Sequence, residues 1–516
     1  MTAVTGWLDR ILGRVTMYAL VIICLVVLAL LSLIFMFVGL LQLSPVGLLT
    51  NAAVLLIFSY LANGFAGLIF RTRPQLSSTA ITALLLLFIF PPSLDLPSLG
   101  GVALAAVIAV LAKYLLAWRG RHIFNPAAIG AFVSVLTGLT FSAWWIGAPI
   151  MLPFVAVAGF LVLFRTRRFP LAIVFIVVAT ANIVIRYAVT GVPIGAAFGF
   201  ALLSSPIVFF ACFMLDEPLT LPPRRWQQLV EAVVVGVLFQ LGFSIGTLSS
   251  TPELALVLGN LLAFFWGQRR GIRLAFVGRT QLTPTSWRFD FRPKAPVKFL
   301  PGQYMELSLP HAKTDARGWR RVFSIASAPD AAAPDGSGLV SFATRMPERS
   351  SSFKSALLAL EPGQVISGTS VSGDFILPKD PAKPLLLVAA GIGITPYISQ
   401  LEQLTASGQM GSSQKRDIVL LYSVLTADDI AFADVLTASG CRVVILSPNR
   451  PSELPKSWSW AGEGGALTSE EIHKAVPDAA SRTTYLSGAP DLVTSLEKAL
   501  HQDGVKWIVT DVFIGY

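Results

Sequence analysis

Residues 383–401 read KPLLLVAAGIGITPYISQL. A run of apolar residues, two glycines one residue apart and a Thr-Pro pair predict a buried strand, a tight turn and a helix start. Gly391 and Gly393 have no Cβ, so the backbone there can approach a phosphate group closely. The free N–H groups of the helix start suit the same anion. Alone, such a turn is weak evidence for a nucleotide. The setting decides its reading, because more than 260 residues of membrane-like sequence precede it.

The chain has 516 residues, enough for two or three domains. Apolar residues make up 54%, charged residues 13%, and the mean hydropathy is +0.69, beyond what a soluble domain tolerates. The excess is one-sided. Residues 1–266 hold six acidic and thirteen basic side chains, while the remainder has ordinary soluble composition. The net charge of +10 therefore calls for no nucleic-acid partner, since much of it sits in short loops suited to anionic headgroups. Cys24, Cys212 and Cys441 are widely scattered, which excludes an iron–sulfur cluster held by this chain alone, and no metal site is assigned.

Ten apolar segments are expected as spans: 17–41, 46–70, 76–91, 98–118, 123–141, 146–164, 169–190, 194–214, 226–247 and 252–267. The first is too long for a signal-peptide core and reads as a retained span. Arginines mark every second exit: Arg10 and Arg14 before the first span, then Arg71, Arg73, Arg119, Arg121, Arg165, Arg167, Arg168, Arg224, Arg225, Arg269, Arg270 and Arg273. The other exits are nearly bare, Arg186 excepted. By the positive-inside rule both termini are cytoplasmic and the protein is a multi-pass protein of the cell membrane. IFRTRP (69–74) echoes LFRTRRFP (163–170), and FNPA (124–127) echoes DEPL (216–219), which suggests an internal duplication.

From about Ile272 alternating strands and turns predict a small antiparallel β-barrel, and after GDFILP the pattern changes to β–α units. RRVFSIASAP (320–329) places Arg321, Phe323 and Ser324 in an Arg-x-aromatic-Ser order. A flavin dinucleotide wants a cation for its pyrophosphate, an aromatic face and a hydroxyl near its reactive edge. In MPERSSSFKSALL, Ser351 and Ser352 open a short helix and suit either a pyrophosphate or plain helix capping. The chain closes on WIVTDVFIGY.

In order and spacing, PGQY, RVFS, GDFILP, AAGIGITP, YLSGAP and DVFIGY resemble the ferredoxin–NADP reductase superfamily over residues 272–516. The resemblance implies an FAD-binding β-barrel (268–380) and an NAD(P)-binding α/β domain (381–516). It places Arg321, Ser351 and Ser352 at the FAD pyrophosphate, Tyr304, Phe323 and Ser327 around the flavin, and Ser324 near N5. Gly391, Gly393, Thr395, Pro396 and Gly488 line the NAD(P)H site. Ser487 stands where a cysteine is usual, and Tyr516 either stacks on the flavin or packs as a tail. Ser324, Ser487 and Tyr516 are the catalytic candidates.

Residues 1–267 resemble the B subunit of the sodium-pumping NADH:quinone reductase and the D subunit of the Rnf complex, on the span count, GRHIFNPAAIGAF (120–132) and CFMLDEPLT (212–220). That implies an all-α transmembrane domain with a bound flavin, and partner redox subunits. Ala197 stands where the family's flavin-linking threonine would be, so an FMN or riboflavin there would be non-covalent, with Asn125 a candidate for its pocket. Haem relays need paired histidines, and this half has only His122. Among its acidic residues only Glu231 falls inside a span as a candidate for ion coupling. The sequence thus predicts a membrane-bound NAD(P)H dehydrogenase delivering electrons to a quinone or an outward-side acceptor. A simply anchored reductase and a redox-coupled ion pump are the alternatives.

Overall fold

The computed structural model describes residues 12, 15–70, 76–118, 121–245, 248–266, 271–312, 315, 319–329, 338–348, 350–410, 416–451, 454–461 and 467–513. Val15–Gly271 form one compact unit, and residues 272–516 belong to a second.

The first unit is helical. Its helices are α1 (Met17–Phe37), α2 (Pro45–Ile69), α3 (Leu76–Ile89), α4 (Leu96–Leu115), α5 (Pro126–Leu136), α6 (Leu152–Thr166), α7 (Phe169–Val189), α8 (Ile194–Leu203), α9 (Ile207–Met214), α10 (Arg225–Leu238) and α11 (Pro252–Trp266). Every expected segment contains helix, but ten spans are not found. Five helices are long and apolar enough to cross a membrane: α1, α2, α4, α6 with its leading turn from Pro149, and α7. A sixth counts if α8 and α9, bent by 47° at a break, form one. The reason is local. Pro91 and Pro92 stop α3, Gly138 follows α5, and Pro206 starts α9 afresh. At 1.5 Å per residue, the 14 residues of α3 reach about 21 Å, short of a hydrocarbon core of about 30 Å. Several arginines of the exit pattern, among them Arg10, Arg14, Arg71, Arg73, Arg119, Arg269 and Arg270, lie outside the described residues.

A repeat is present, though not the one the motifs suggested. Counting the bent pair α8–α9 as one segment, four helical segments, a two-stranded hairpin and a fifth segment occur twice. The first hairpin pairs β1 (Ala117–Trp118) with β2 (Arg121–His122) between α4 and α5; the second pairs β3 (Ser244–Ile245) with β4 (Leu248–Ser249) between α10 and α11. Packing repeats too, α2 on α4 as α7 on α10, and α5 meets α11 across the halves. FNPA and DEPL are not equivalents, since Pro126 opens a helix and Pro218 lies in a turn. Instead those stretches touch. Asn125 Nδ2 donates to the Met214 carbonyl (3.2 Å), and His122 Nε2 lies 3.1 Å from Glu217 Oε1.

The second unit opens with six antiparallel strands, β5 (Ile272–Thr283), β6 (Ser286–Pro293), β7 (Tyr304–Ser308), β8 (Arg320–Ser324), β9 (Val340–Arg345) and β10 (Val365–Ser372), in the order β8-β7-β10-β5-β6-β9. Alternation along β5 buries Ile272, Leu274 and Phe276 over a core with Phe289, Phe291, Met305, Phe342 and the helix α12 (Ser352–Leu358). The expected barrel is not closed by a ladder. Beyond the five-residue strand β8, the two sheet ends meet at the Ile325–Phe342 bridge, the Ala326 N–H to Ser341 carbonyl bond and the Ser341 N–H to Ser327 Oγ bond.

Six parallel strands follow, β11 (Leu385–Ala390), β12 (Ile418–Ser423), β13 (Arg442–Leu446), β14 (Trp458–Ala461), β15 (Thr483–Gly488) and β16 (Ile508–Val512), in the order β14-β13-β12-β11-β15-β16. Helices α13 (Thr395–Ala406), α14 (Ala433–Ser439), α15 (Ser469–Ala475) and α16 (Pro490–Gln502) connect them. β11 is buried on both faces, Leu385 and Leu387 on one and Leu386 and Val388 on the other, which is why it reads as a continuous apolar run. The chain reverses its direction across the sheet between β11 and β15. Ligands bind parallel sheets at the carboxyl ends of such strands.

Gly130 tests the packing of the first unit. A methyl group there would stand 2.6 Å from the Ala105 carbonyl and Ala109 Cβ, so α4 and α5 approach closely only because it is glycine. Gly130→Ala is expected to cost about 1–3 kcal/mol, read as a lowered Tm of the detergent-purified protein; an unchanged Tm would contradict this packing.

Candidate functional site

The glycine turn lies at that reversal. Gly391 adopts φ +52°, in the left-handed region that glycine favours, and is solvent-exposed. Gly393 is pressed against β15, where a Cβ would sit 2.5 Å from the Ser487 carbonyl oxygen. Thr395 Oγ1 donates to the Ile392 carbonyl (3.1 Å), and Pro396 lies in the first turn of α13. The Tyr397 hydroxyl lies between the Val388 and Tyr485 carbonyls at 3.0 and 2.9 Å, pinning the helix start beneath the sheet. A small cleft opens beside the turn, lined by Gly391, Ile392, Tyr422 and Asp429 on one side and by Thr285, Ser286 and Arg345 of the antiparallel domain on the other.

α13 ties the two sheets together. Ser399 Oγ donates to the Ser327 carbonyl (2.7 Å), Gln400 Nε2 to the Phe375 carbonyl (2.7 Å), and Glu402 accepts the Ala328 N–H (2.9 Å). The joint brings two sequence-predicted residues to one place through a third. Buried Ser324 donates its hydroxyl to Asp511 Oδ2 at 3.4 Å, and Asp511 is the register neighbour of Ser487 across β15 and β16. The Ser487 hydroxyl is buried with no protein partner, an orphaned polar atom at a strand end. Asp511 escaped the sequence reading. Its signal was one acid inside the apolar closing run WIVTDVFIGY. Burial pushes its carboxyl up to about 6, against hydrogen bonds from Ser324 and the Val512 backbone.

The other predicted residues divide. Arg321 points its guanidinium at Asp315 (2.9 and 3.2 Å) and covers the Phe353 ring at 5.5 Å. Ser352 Oγ accepts the Asp315 N–H (3.0 Å) and lies 3.0 Å from His311 Nε2, so Arg321 and Ser352 belong to one polar cluster. Ser351 caps α12 by accepting the Lys354 N–H at 3.4 Å, the plain capping role. Tyr304 is partly buried on β7, paired with Ser324 across the ladder and lying against Gly373. Phe323 does not offer an open face, because it is buried in the sheet core against Phe353 and Phe342. Ser327 is occupied structurally, its hydroxyl accepting the Ser341 N–H and its carbonyl held by Ser399. Gly488 follows Ser487 beneath Ala390. Tyr516 lies outside the described residues. Asn125 is 2% exposed, and each of its polar atoms has a protein partner: N–H to Asn260 Oδ1, Oδ1 from the Ala128 N–H, Nδ2 to the Met214 carbonyl and its own carbonyl from Ile129. It caps α5.

No protein-family model matches the chain. Among known proteins it is similar to the NADPH oxidoreductase of Mycobacterium tuberculosis, 31% identical over 223 residues, covering 42% of this chain and 51% of that protein. It is also similar to the toluate 1,2-dioxygenase electron transfer component of Pseudomonas putida, 25% identical over 243 residues, 46% of this chain and 66% of that protein. The resemblance of residues 272–516 to the ferredoxin–NADP reductase superfamily points the same way as these relatives. These relatives support an NAD(P)H-dependent oxidoreductase. The chain spans about half to two thirds of the length of the curated relatives it matches. Among solved structures, a ferredoxin NADP+ reductase from Neisseria gonorrhoeae with bound FAD and NADP shares 19% identity at a TM-score of 0.38, covering 48% of this chain and 99% of that one.

The raised Asp511 carboxyl makes the module's stability depend on pH. Below the ordinary value of 3.8 the group is protonated folded or unfolded and contributes nothing. As pH rises from there to about 6 stability falls, and above about 6 the full penalty of burying the charge remains, about 2 kcal/mol allowing for its partial exposure. Asp511→Asn is therefore expected to raise Tm above about pH 6, with the gain vanishing towards about pH 4. Tm differences that ignore pH would refute the assignment.

Proposed function

We propose that this chain is a membrane-bound NAD(P)H dehydrogenase that takes hydride at the cytoplasmic face and delivers electrons through its membrane unit to a quinone or an outward-side acceptor. The observation that carries the reading is the junction of the glycine turn, Ser487, Ser324 and Asp511 at the carboxyl ends of β11, β15 and β16, beside an open cleft.

The residues fit FAD and NAD(P)H. Arg321, Tyr304 and the Ser351–Ser352 stretch would hold FAD, with Arg321 exchanging the Asp315 carboxylate for phosphate, the same charge-assisted geometry on a new anion. Bound FAD supplies a carrier that accepts two electrons together and releases them singly. The protein's share is placement. Gly391 leaves open space for a dinucleotide backbone against the turn, Gly393 seats the turn on β15, and the Ser487 hydroxyl would give the nicotinamide end a polar contact. Ser324 stands between Asp511 and the β8 edge. A carboxyl titrating near 6 behind a hydroxyl can hold or release a proton at Ser324 Oγ near physiological pH.

A membrane flavin, FMN or riboflavin held without a covalent bond, would shorten the crossing, and partner redox subunits would take the electrons further. Ala197, buried in α8, offers no hydroxyl for attachment. A second reading, in which the helices only anchor the module, draws support from Asn125, whose polar atoms are all engaged.

The test is acid extraction of flavins from the purified full chain, with NADH or NADPH added anaerobically to the intact protein. FAD bleached by either nucleotide is expected, together with a second flavin, and Arg321→Ala should lower the FAD content by at least tenfold. A chain without FAD overturns the proposal. FAD as the sole flavin, equimolar with protein, selects the anchored reading.

A further inference from the structure

Glu231 is the one acidic side chain of the first unit that the proposed electron path leaves unused in mid-helix. It is the seventh residue of α10 and is fully buried. Its Oε1 accepts from Asn260 Nδ2 of α11 at 3.5 Å, and its Oε2 has no partner. Asn260 in turn accepts the Asn125 N–H (2.7 Å), and Asn125 Nδ2 donates to the Met214 carbonyl at the end of α9. The carboxyl therefore ends a line of polar groups that threads α9, α5, α11 and α10, drawn from both halves of the repeat. Gly259 of α11 lies against this carboxyl and against the Val235 side chain of α10, which leaves no room for a Cβ there.

The surrounding charges leave the carboxyl without a counter-ion among the described residues. α7 and α11 are the helices packed against α10. α7 brings Arg168 at its N-cap and Arg186 in its last turn; α11 brings Glu253 in its first turn, bonded to Trp144 Nε1 (2.8 Å); α10 itself carries Arg224 and Arg225 at its start. Arg168 bears on Glu231, but its guanidinium is held by Asp216 Oδ1 at 3.0 Å. An ion buried in apolar surroundings without a counter-ion is costly, and one proton removes the cost. A metal cation would need roughly six oxygen ligands. Here both asparagine side-chain oxygens are already accepting N–H bonds, which leaves Oε2 as the open oxygen.

We propose that Glu231 is a proton-binding site of the helical unit, its carboxyl aimed by Asn260 at the junction of the two repeated halves. The site does not depend on the flavin assignments. Protonated, Glu231 resembles glutamine in shape and charge; ionised, it differs from glutamine by one buried charge. The full chain, purified in detergent, is followed by Tm against pH as wild type and as Glu231→Gln. The expected result is similar Tm in acid and a lead for Glu231→Gln that opens by roughly 2 °C or more towards alkaline pH. Parallel curves overturn the proposal. Replacing choline chloride by sodium chloride at constant ionic strength should move both proteins equally; a gain confined to the wild type would show a metal-cation site and also overturn it. Should Glu231→Gln fail to fold, acid-minus-base infrared difference spectra of the wild type and Glu231→Asp decide. A protonated-carboxyl C=O band that shifts in the aspartate variant is expected, and a band common to both refutes the assignment.

Discussion

A missing methyl group sets the geometry of the reductase-like module. Gly393 rests on the Ser487 carbonyl with no room for a side chain, so the turn after β11 can fold flat onto β15 and launch α13 directly beneath the sheet. The helix then delivers Ser399, Gln400 and Glu402 to three main-chain groups around the antiparallel sheet. Those bonds position β8 against β16 and let Ser324 reach Asp511. Gly302 serves the same joint from the other side, where any Cβ would collide with the Phe375 carbonyl and the Gln400 amide. Two glycines and three side chains thus fix the joint between the sheets, where Ala326, Ala343 and Phe375 pack into the core of the parallel sheet.

The helical unit solves a different problem. Its interior is apolar, so each buried polar group needs an internal partner. The Trp145 indole donates to the Leu87 carbonyl (2.8 Å), the Ser134 hydroxyl to the Gly101 carbonyl (2.6 Å), and Asn51 Nδ2 to the Pro91 carbonyl (2.9 Å). Many of these bonds satisfy carbonyls freed where Pro and Gly end the short helices. The same breaks make those helices too short to cross alone. One cause, chain-breaking residues, gives both the irregular helix lengths and the polar links that tie helix to helix.

That cause also separates what was legible in the sequence from what was not. The parallel sheet was readable because β11 is buried on both faces and needs an unbroken apolar run, and the turn because glycine alone fits it. The positions of all ten helical segments were readable from hydropathy. Their lengths were not, since hydropathy averages over Pro206 and the Pro91–Pro92 pair while the backbone does not. The repeat was misplaced because short basic stretches at helix ends resemble one another wherever they occur, whereas the true repeat lies in an order of elements with two-residue strands. The Arg-x-aromatic-Ser pattern located β8 correctly, but alternation could not show that α12 would fold over Phe323 and bury it. Asp511 stayed hidden because its partner Ser324 is 187 residues away in the chain.

The two acids without charge partners, Asp511 and Glu231, differ in the group that holds them, and the difference sets what each can do. Ser324 presents a hydroxyl, which both donates and accepts, so by rotating it can face either the carboxylate or the protonated acid and turn to a second partner. A proton can be handed along such a pair. Asn260 presents an amide NH2 to Glu231 and keeps its oxygen on the Asn125 N–H, so towards the carboxyl it only donates. It can aim Glu231 and stabilise the lone pair of one oxygen, but it cannot take the proton away. Passing a proton on from Glu231 therefore requires that Oε2 gain another neighbour.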